Sequence, residues 1–261
     1  GIVNVTPDSF SDGGRFLDPA AALAHARRLV DECADLLDIG AESTRPGAAD
    51  VAADVEIARV VPLLQALLPL GVPLSVYTSK ADVMRAALAA GAAIINDVRA
   101  LGLAGAVDAV READCGIVLM HMQGEPRTMQ AEPRYDDVVR EVGEYLHERV
   151  AALTAAGIAA DRIVVDPGCG FGKTVAHNYT LLRELRTLAA QGRPVLAGLS
   201  RKSMLGAVTG RAVDARVMAS VAAALLAVER GARIVRVHDV AATREALQVW
   251  VALGNEQQEG R

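Results

Sequence analysis

Eight short apolar runs alternate along this 261-residue chain with longer runs rich in Ala, Leu, Arg and Glu. The short runs have strand length and the long runs have helix length, so the pattern predicts repeated strand–helix–strand units and a parallel sheet. Strands are predicted at residues 1–6, 36–40, 73–78, 94–98, 116–121, 162–168, 194–200 and 234–239. Helices are predicted at residues 19–32, 54–68, 80–90, 135–156, 178–190, 213–230 and 241–253.

Eight such units in a chain of this length favour a closed (β/α)8 TIM barrel over an open doubly wound sheet. Parallel strands covered on both faces are continuously apolar, and most of these runs are. The G-x-G-x-x-G turn typical of an open dinucleotide-binding sheet does not follow the first run. No linker or shift in composition divides the sequence, so we predict one domain over residues 1–261. Because Gly1 already lies inside an apolar run, we expect the first strand to be truncated there.

The net charge and the cysteine positions indicate which binding partners and which cellular compartment to expect. The formal net charge of -5 argues against nucleic acid as the main partner. No run of about 18 apolar residues lacks charge, so we expect no membrane span. Cys33, Cys115 and Cys169 show no C-x-x-C spacing, which indicates neither a zinc site nor a disulfide framework. We therefore expect a cytoplasmic protein in a reducing environment.

Polar residues follow nearly every predicted strand. In a β/α barrel the carboxyl ends of the strands form the active-site mouth, so these residues are candidates for one shared site. Ser, Thr, Asp and Asn at such positions usually cap helices, and capping accounts for about half of them. We interpret Asp97 and Asp239 in this structural way.

The remaining rim residues fall into two chemical groups. The cationic or potentially cationic side chains are Arg45, Lys202, Arg236 and His238. Such donors clamp phosphate, and β/α barrels often bind phosphate near their last strands. Asp166 and Asn96 offer a carboxylate and an amide, which suit a flat heterocycle with alternating donors and acceptors. An ion pair between Asp166 and Lys202 is the structural alternative.

Two further motifs have simple interpretations. Asn4, with Asp8 and Asp12 close in sequence, could help to bind Mg²⁺, which needs only one or two protein oxygens when it also binds a diphosphate. The glycine-rich segment 168–173 resembles part of a P-loop but lacks the full G-x-x-x-x-G-K-S/T spacing. A nucleoside triphosphatase is therefore not favoured.

Taken together, the rim segments resemble the dihydropteroate synthase family. Two of them are long and specific: Asn-Val-Thr-Pro-Asp-Ser-Phe-Ser-Asp-Gly-Gly at 4–14 and Asp-Ile-Gly-Ala-Glu-Ser-Thr-Arg-Pro-Gly at 38–47. The other matches, in chain order, are residues 95–97, 119–122, 166–168, 198–203 and 236–239. The similarity spans essentially the whole chain.

This resemblance implies a transferase of folate biosynthesis. It would condense 6-hydroxymethyl-7,8-dihydropterin pyrophosphate with p-aminobenzoate to give 7,8-dihydropteroate and pyrophosphate. Mg²⁺ would be the cofactor, sulfonamides would compete with p-aminobenzoate, and the protein would form a homodimer.

The resemblance also implies residue roles. Catalytic roles would fall to Asp12, Arg45, Asp166 and Lys202. The pterin would contact Thr44, Tyr77, Asn96, Asp166 and Lys202. The diphosphate would contact Asn4, Arg45, Arg236 and His238, with Asn4 also binding the metal. The p-aminobenzoate would be framed by Phe10, Thr44, Pro46, Phe171, Lys202 and Ser203.

The chain departs from the family at three positions. Tyr77 stands where the family has an aspartate that reaches the pterin, so we predict weaker pterin binding and turnover. Cys33 stands where glycine is usual at a helix end, and a Cβ in a left-handed cap costs about 1 kcal/mol. Cys169 replaces an apolar residue, and we expect a neutral buried thiol there.

Two other functions remain open at this point. A pterin-binding methyltetrahydrofolate–corrinoid methyltransferase would share the pterin contacts but would not need the cationic groups Arg45, Arg236 and His238. An impaired paralogue is the second alternative, because Tyr77 replaces the expected aspartate.

Overall fold

The computed structural model describes residues 1–4, 19–40 and 51–255, with the side chains of residues 19 and 255 left aside. Several predicted site residues lie outside the described residues: Asp8, Phe10, Asp12, Thr44, Arg45 and Pro46.

Eight parallel strands form one sheet in sequential order. They are β1 (Ile2–Asn4), β2 (Leu37–Gly40), β3 (Leu74–Tyr77), β4 (Ile94–Asp97), β5 (Gly116–Met120), β6 (Ile163–Asp166), β7 (Val195–Ala197) and β8 (Ala232–Val235). The backbone N–H of Ile2 donates to the carbonyl oxygen of Val237 at 3.1 Å, which joins the first strand to the segment after the last. The fold is a TIM barrel, as predicted.

The helices connect these strands along the outside of the barrel. They are α1 (Pro19–Asp31), α2 (Ala53–Leu67), α3 (Ala81–Ala89), α4 (Ala106–Arg111), α5 (Val138–Ala155), α6 (Val175–Arg183), α7 (Leu185–Ala189), α8 (Ser203–Thr209), α9 (Val217–Glu229) and α10 (Val240–Asn255). Within the described residues, no helix combines the length and the apolar character that crossing a membrane requires.

The two faces of the strands differ in chemistry. The outward side chains of four adjacent strands are fully buried and join the apolar core: Val3, Ile39, Val76 and Ile95. Alternate residues point into the barrel, where Asp38, Ser75 and Asn96 are polar and also buried. Because apolar burial fixes the register, this polar row has a defined place inside the barrel.

The sequence placed some boundaries wrongly. The last two strands end at Ala197 and Val235, several residues before the predicted ends at 200 and 239. The backbone N–H of Arg236 still donates to the Ala197 carbonyl oxygen, but that of His238 donates to the Ser200 hydroxyl, so the regular ladder does not reach residue 239. The helix predicted at 178–190 is two helices, α6 and α7, and the short helices α4 and α8 were not predicted.

Asp97 has the structural role that we expected. Its carboxylate accepts hydrogen bonds from the Ser79 hydroxyl and from the backbone N–H groups of Arg99 and Leu101. These bonds hold the turn that follows β4.

Helix α1 ends in a left-handed cap at Cys33, whose φ is 68°. The N–H of Cys33 donates to Val30 and that of Ala34 donates to Leu29, which is the double bond of a Schellman motif. This conformation favours glycine, so the predicted strain at Cys33 has its structural basis here.

Replacement of Cys33 by glycine should therefore stabilise the fold. We expect Cys33→Gly to gain about 1 kcal/mol and to raise the melting temperature by about 2–4 °C, measured by circular dichroism. Cys33→Ala is the control, since it removes the thiol and keeps the Cβ. Equal melting temperatures for the glycine variant and the unchanged protein would contradict this account.

Candidate active site

Asp38 is the polar centre of the barrel, with only 3% of its surface exposed. Its Oδ1 accepts from the Ser75 hydroxyl at 2.5 Å. Its Oδ2 accepts from Asn96 Nδ2 at 3.3 Å and from Arg236 Nε at 2.5 Å. One carboxylate thus links β2 to β3, to β4 and to the segment after β8.

Arg236 is held between a carboxylate and an aromatic ring. Its guanidinium carbon lies 5.3 Å from the centroid of the Tyr77 ring, within the range of a cation–π contact. Burial acts to lower the pKa of Arg236, but Asp38, Tyr77 and Asp166 together outweigh it and hold that pKa above its usual value. The residue is a fixed cation at the barrel mouth.

Tyr77 therefore occupies the face of Arg236 beside the predicted pterin site. Its register partners are Gly40 on β2 and Asn96 on β4. The phenol ring presents an aromatic surface to the guanidinium.

Asp166, Lys202 and Arg236 converge on the space above Gly198. A methyl group placed on Gly198 would lie 3.9 Å from Lys202 Nζ, 3.9 Å from Arg236 Cβ and 4.0 Å from Asp166 Oδ2. Because Gly198 has no side chain, the Asp166 carboxylate and the Lys202 amine border this space together with the Cβ of Arg236, whose guanidinium is held by Asp38.

The ion pair considered for Asp166 and Lys202 is not formed directly. The Asp166 carboxylate accepts from the Gly168 N–H at 2.7 Å, and the Lys202 amine donates to the Cys169 carbonyl oxygen. Burial raises the pKa of Asp166, which Lys202 opposes. Burial likewise lowers the pKa of Lys202, and Asp166 opposes that shift without cancelling it.

Phe171 adds an aromatic wall beside Lys202. Its ring centroid lies 5.0 Å from Lys202 Nζ. Ser203 directly follows that lysine as the first residue of α8 and is exposed. Cys169 is 5% exposed, and burial raises the pKa of its thiol, which confirms the expected neutral buried cysteine.

His238 belongs to the same mouth. Its Nδ1 lies 2.9 Å from the Ser200 hydroxyl, and its backbone N–H donates to that hydroxyl at 3.2 Å. Arg201 binds the next residue, Asp239, with two nitrogen–oxygen contacts of 3.0 and 2.5 Å. These links fix the segment after β8 to the segment after β7, so Asp239 is structural, as interpreted from the sequence.

Asn4 lies at the mouth on the other side of Tyr77. A methyl group placed on Gly40 would lie 3.4 Å from Asn4 Oδ1 and 3.8 Å from Tyr77 Cβ. The amide oxygen of Asn4 thus lies beside Gly40 and Tyr77, where β1, β2 and β3 end. Within residues 1–4, 19–40 and 51–255, no group of three or more His, Cys, Asp or Glu side chains could hold a metal without help from a ligand.

A cavity of about 450 Å³ opens into the barrel interior. Its polar lining includes Asp38, Ser75, Asn96 and Arg236, and its apolar lining includes Val118, Leu196 and Ile234. The cavity continues along β8 towards α10, where Trp250 lines it. The barrel thus contains space next to its polar centre.

Sequence reasoning missed the role of Asp38 and of its partner Ser75. Asp38 enters the sequence predictions only as the first residue of the motif at 38–47. The available signal was a carboxylate between Leu37 and Ile39 in a strand that is otherwise apolar. A charged group is rarely buried without a partner, so such a position predicts a hydrogen-bonded carboxylate.

His121, at the end of β5, should make stability depend on pH. Burial, with the neighbouring Lys173, lowers the pKa of His121 to about 3, against an ordinary value of 6.5. Between pH 6.5 and 3 the unfolded chain binds a proton there that the native protein does not bind. The contribution of His121 to the free energy of unfolding is therefore fully present above pH 6.5, and it is lost as the pH drops towards 3.

We expect His121→Gln to remove this dependence. The loss of unfolding free energy between pH 6.5 and 4.5, measured by urea titration, should be smaller in the variant by about 2 kcal/mol. His147, which is exposed on α5, supplies the control variant His147→Gln. Parallel pH profiles for His121→Gln and the unchanged protein would show that His121 is not the titrating group.

Known proteins match the chain along its whole length. A family model described as "Pterin binding enzyme" matches residues 1–238. Dihydropteroate synthase from Neisseria meningitidis serogroup C is 57% identical over 259 residues, which is 97% of this chain and 92% of that relative.

Two solved structures superpose closely on the fold. Yersinia pestis dihydropteroate synthase, in a sulfonamide drug complex, has a TM-score of 0.94 at 47% identity and covers 98% of this chain and 93% of its own. Burkholderia cenocepacia dihydropteroate synthase, complexed with 7,8-dihydropteroate, has a TM-score of 0.91 at 56% identity and covers 99% of this chain and 92% of its own. With the barrel mouth described above, these likenesses show that the chain belongs to the dihydropteroate synthase family of pterin-binding enzymes.

Proposed function

We propose that this barrel mouth joins 6-hydroxymethyl-7,8-dihydropterin pyrophosphate to p-aminobenzoate, with 7,8-dihydropteroate and pyrophosphate as products. The observation that carries the proposal is the convergence of Asp166, Lys202 and Arg236 on the space above Gly198. A buried carboxylate and an amine that border one space, beside an arginine whose guanidinium is held by Asp38, match a heterocycle that carries an anionic leaving group.

The pterin half of the site would be formed by Asn96, Asp166 and Lys202. Asp166 is an acceptor and Lys202 a donor, and Asn96 supplies both an amide oxygen and an amide N–H. Asn96 already donates to Asp38, which leaves its amide oxygen in a fixed direction. Tyr77 would border this half where the resemblance implies an aspartate.

The diphosphate half would be formed by Arg236 and His238. Asp38 engages Arg236 through Nε, so the two terminal nitrogens of the guanidinium can point along one edge towards phosphate oxygens. Ser200 orients His238 through Nδ1. Negative charge grows on the diphosphate as it leaves, and fixed cations stabilise that charge without reorganising.

Asn4 would hold Mg²⁺ in this half. A single neutral oxygen fits a Mg²⁺ ion that keeps several waters and takes its other ligands from a diphosphate. The metal would supply further neutralisation of the leaving group.

The chemical step would exchange one bond for another at the pterin methylene carbon. The carbon–oxygen bond to the diphosphate breaks, and its electron pair leaves with the diphosphate. The amine nitrogen of p-aminobenzoate forms the new carbon–nitrogen bond and then loses a proton. Phe171, Lys202 and Ser203 would frame the aromatic amine, with Phe10, Thr44 and Pro46 from outside the described residues, and sulfonamides would compete there.

We further propose a cytoplasmic homodimer. Three apolar side chains of the later helices are widely exposed: Met218 at 82%, Val249 at 72% and Leu253 at 70%. A second copy covering them would bury apolar surface. All three cysteines are free thiols, which suits a reducing compartment.

Tyr77 supports a second candidate, a family member with impaired synthase activity. Its ring already covers the Arg236 guanidinium at 5.3 Å. Pyrophosphate release from the pterin pyrophosphate, measured with and without p-aminobenzoate, separates the candidates. The proposed activity requires release that depends on p-aminobenzoate, whereas an inactive paralogue or a corrinoid methyltransferase gives none.

Replacement of Tyr77 by aspartate should restore pterin affinity. A hydrogen bond to a charged group is worth about 1.5–3 kcal/mol. Tyr77→Asp should therefore bind 6-hydroxymethyl-7,8-dihydropterin pyrophosphate roughly ten- to hundredfold more tightly, as measured by calorimetry. Tyr77→Phe, which keeps the ring, should show no such gain. If the unchanged protein binds as tightly as Tyr77→Asp, the predicted weakening by Tyr77 is wrong.

A further inference from the structure

Lys173 is a buried amine, 3% exposed, that the proposed chemistry does not use. Its Nζ lies 2.8 Å from His121 Nδ1 and donates to the carbonyl oxygens of Phe171 at 3.0 Å, Gly168 at 3.1 Å and His121 at 3.3 Å. One amine thus joins the end of β5 to both ends of the segment 168–171.

This segment, which we call the glycine loop (residues 168–172), lies directly against the end of β5. Gly168 and Gly172 have φ values of 67° and 58°. A Cβ on Gly168 would collide with the His121 carbonyl oxygen, and one on Gly172 would collide with that of Gln123. The loop therefore carries no side chain at Gly168 or Gly172, where it lies against the segment after β5. Lys173 supplies polar contacts to the loop there.

A second amine contacts the same loop from the side of the active site. Lys202 donates to the Cys169 carbonyl oxygen and lies 5.0 Å from the centroid of the Phe171 ring. Gln130 and Asn178 bind the loop at Gly170 and Tyr135 binds it at Gly172, whereas Lys173 binds the carbonyl oxygen of Phe171 itself. The position of Phe171 relative to Lys202 therefore depends most directly on Lys173.

We propose that Lys173 is a positioning residue that sets the place of Phe171 in the wall facing p-aminobenzoate. The proposal rests on the proposed function for the identity of that ligand. Lys173 does not touch the reacting atoms, and it acts through the carbonyl oxygens of Gly168 and Phe171.

The surroundings of the amine fit a positioning role. Burial lowers the pKa of Lys173 to about 7, although Cys169 and Asp166 oppose that shift. A charged lysine in such a place is costly unless it is hydrogen-bonded, and three backbone carbonyl oxygens supply those bonds and fix the amine in place. A methionine of similar length would fill the same space without any donor.

A fluorine NMR experiment tests the position of Phe171 without any need for activity. The chain has only three phenylalanines, so labelling with fluorophenylalanine gives three resonances, and Phe171→Leu identifies the one of interest. Lys173→Met should shift or broaden the Phe171 resonance by more than its linewidth.

The matched control is Thr174→Ala. Thr174 caps α6 through the His177 N–H, and Asn178 on that helix accepts from the Gly170 N–H at 2.7 Å. The variant therefore weakens the helix that carries this second link to the glycine loop and leaves the contacts of Lys173 in place. That variant should lose stability and leave the Phe171 resonance unmoved. If Lys173→Met fails to fold, Lys173→Gln keeps polarity with a shorter reach and should give an intermediate shift.

Steady-state kinetics supply the second readout. Lys173→Met should raise the KM for p-aminobenzoate about tenfold and change the KM for the pterin pyrophosphate less than about threefold. Thr174→Ala should change neither constant by more than about twofold.

Three results would overturn the role of Lys173: an unmoved Phe171 resonance, an equal rise of both KM values, or the same changes in Thr174→Ala. An unchanged protein that releases no pyrophosphate would instead contradict the proposed function, and the NMR comparison would still decide the role of Lys173.

Discussion

The active-site mouth depends on the placement of one carboxylate inside a barrel built by apolar packing. Asp38 accepts hydrogen bonds from Ser75, Asn96 and Arg236, which come from three other parts of the sheet. Burying a carboxylate is costly unless several donors bind it, so Asp38 and its three partners hold one another in place. A fixed guanidinium and a fixed amide follow from this arrangement, and both are groups that the proposed substrates need.

Buried amines organise the other side of the mouth in a similar way. Lys202 and Lys173 both donate to backbone carbonyls of the glycine loop, and Asp166 accepts from the Gly168 N–H in the same loop. The backbone of the glycine loop therefore makes hydrogen bonds to three ionisable groups. Its glycines permit the close approach, and Phe171 is the one large side chain that it presents beside Lys202.

Much of this architecture could be read from the sequence, because apolar periodicity determines strand and helix order in a barrel. The segments that carry Asn96, Asp166 and Arg236 were placed correctly at the barrel mouth. The inward hydrogen bonds of Asp38 could not be predicted, since strand periodicity says which face a residue takes and not which partners it meets. The same holds for the contact of Tyr77 with Arg236, which arises between residues 159 positions apart in the chain.

The central role of Asp38 is tested most directly by the affinity of Asp38→Asn for 6-hydroxymethyl-7,8-dihydropterin pyrophosphate, measured by calorimetry. Asparagine keeps the shape but turns an amide group towards Arg236 or Asn96. Asp35→Asn, which makes the same charge change at an exposed position, is the control. The account predicts a loss of at least about tenfold for Asp38→Asn alone. Equal affinities for both variants and the unchanged protein would contradict it.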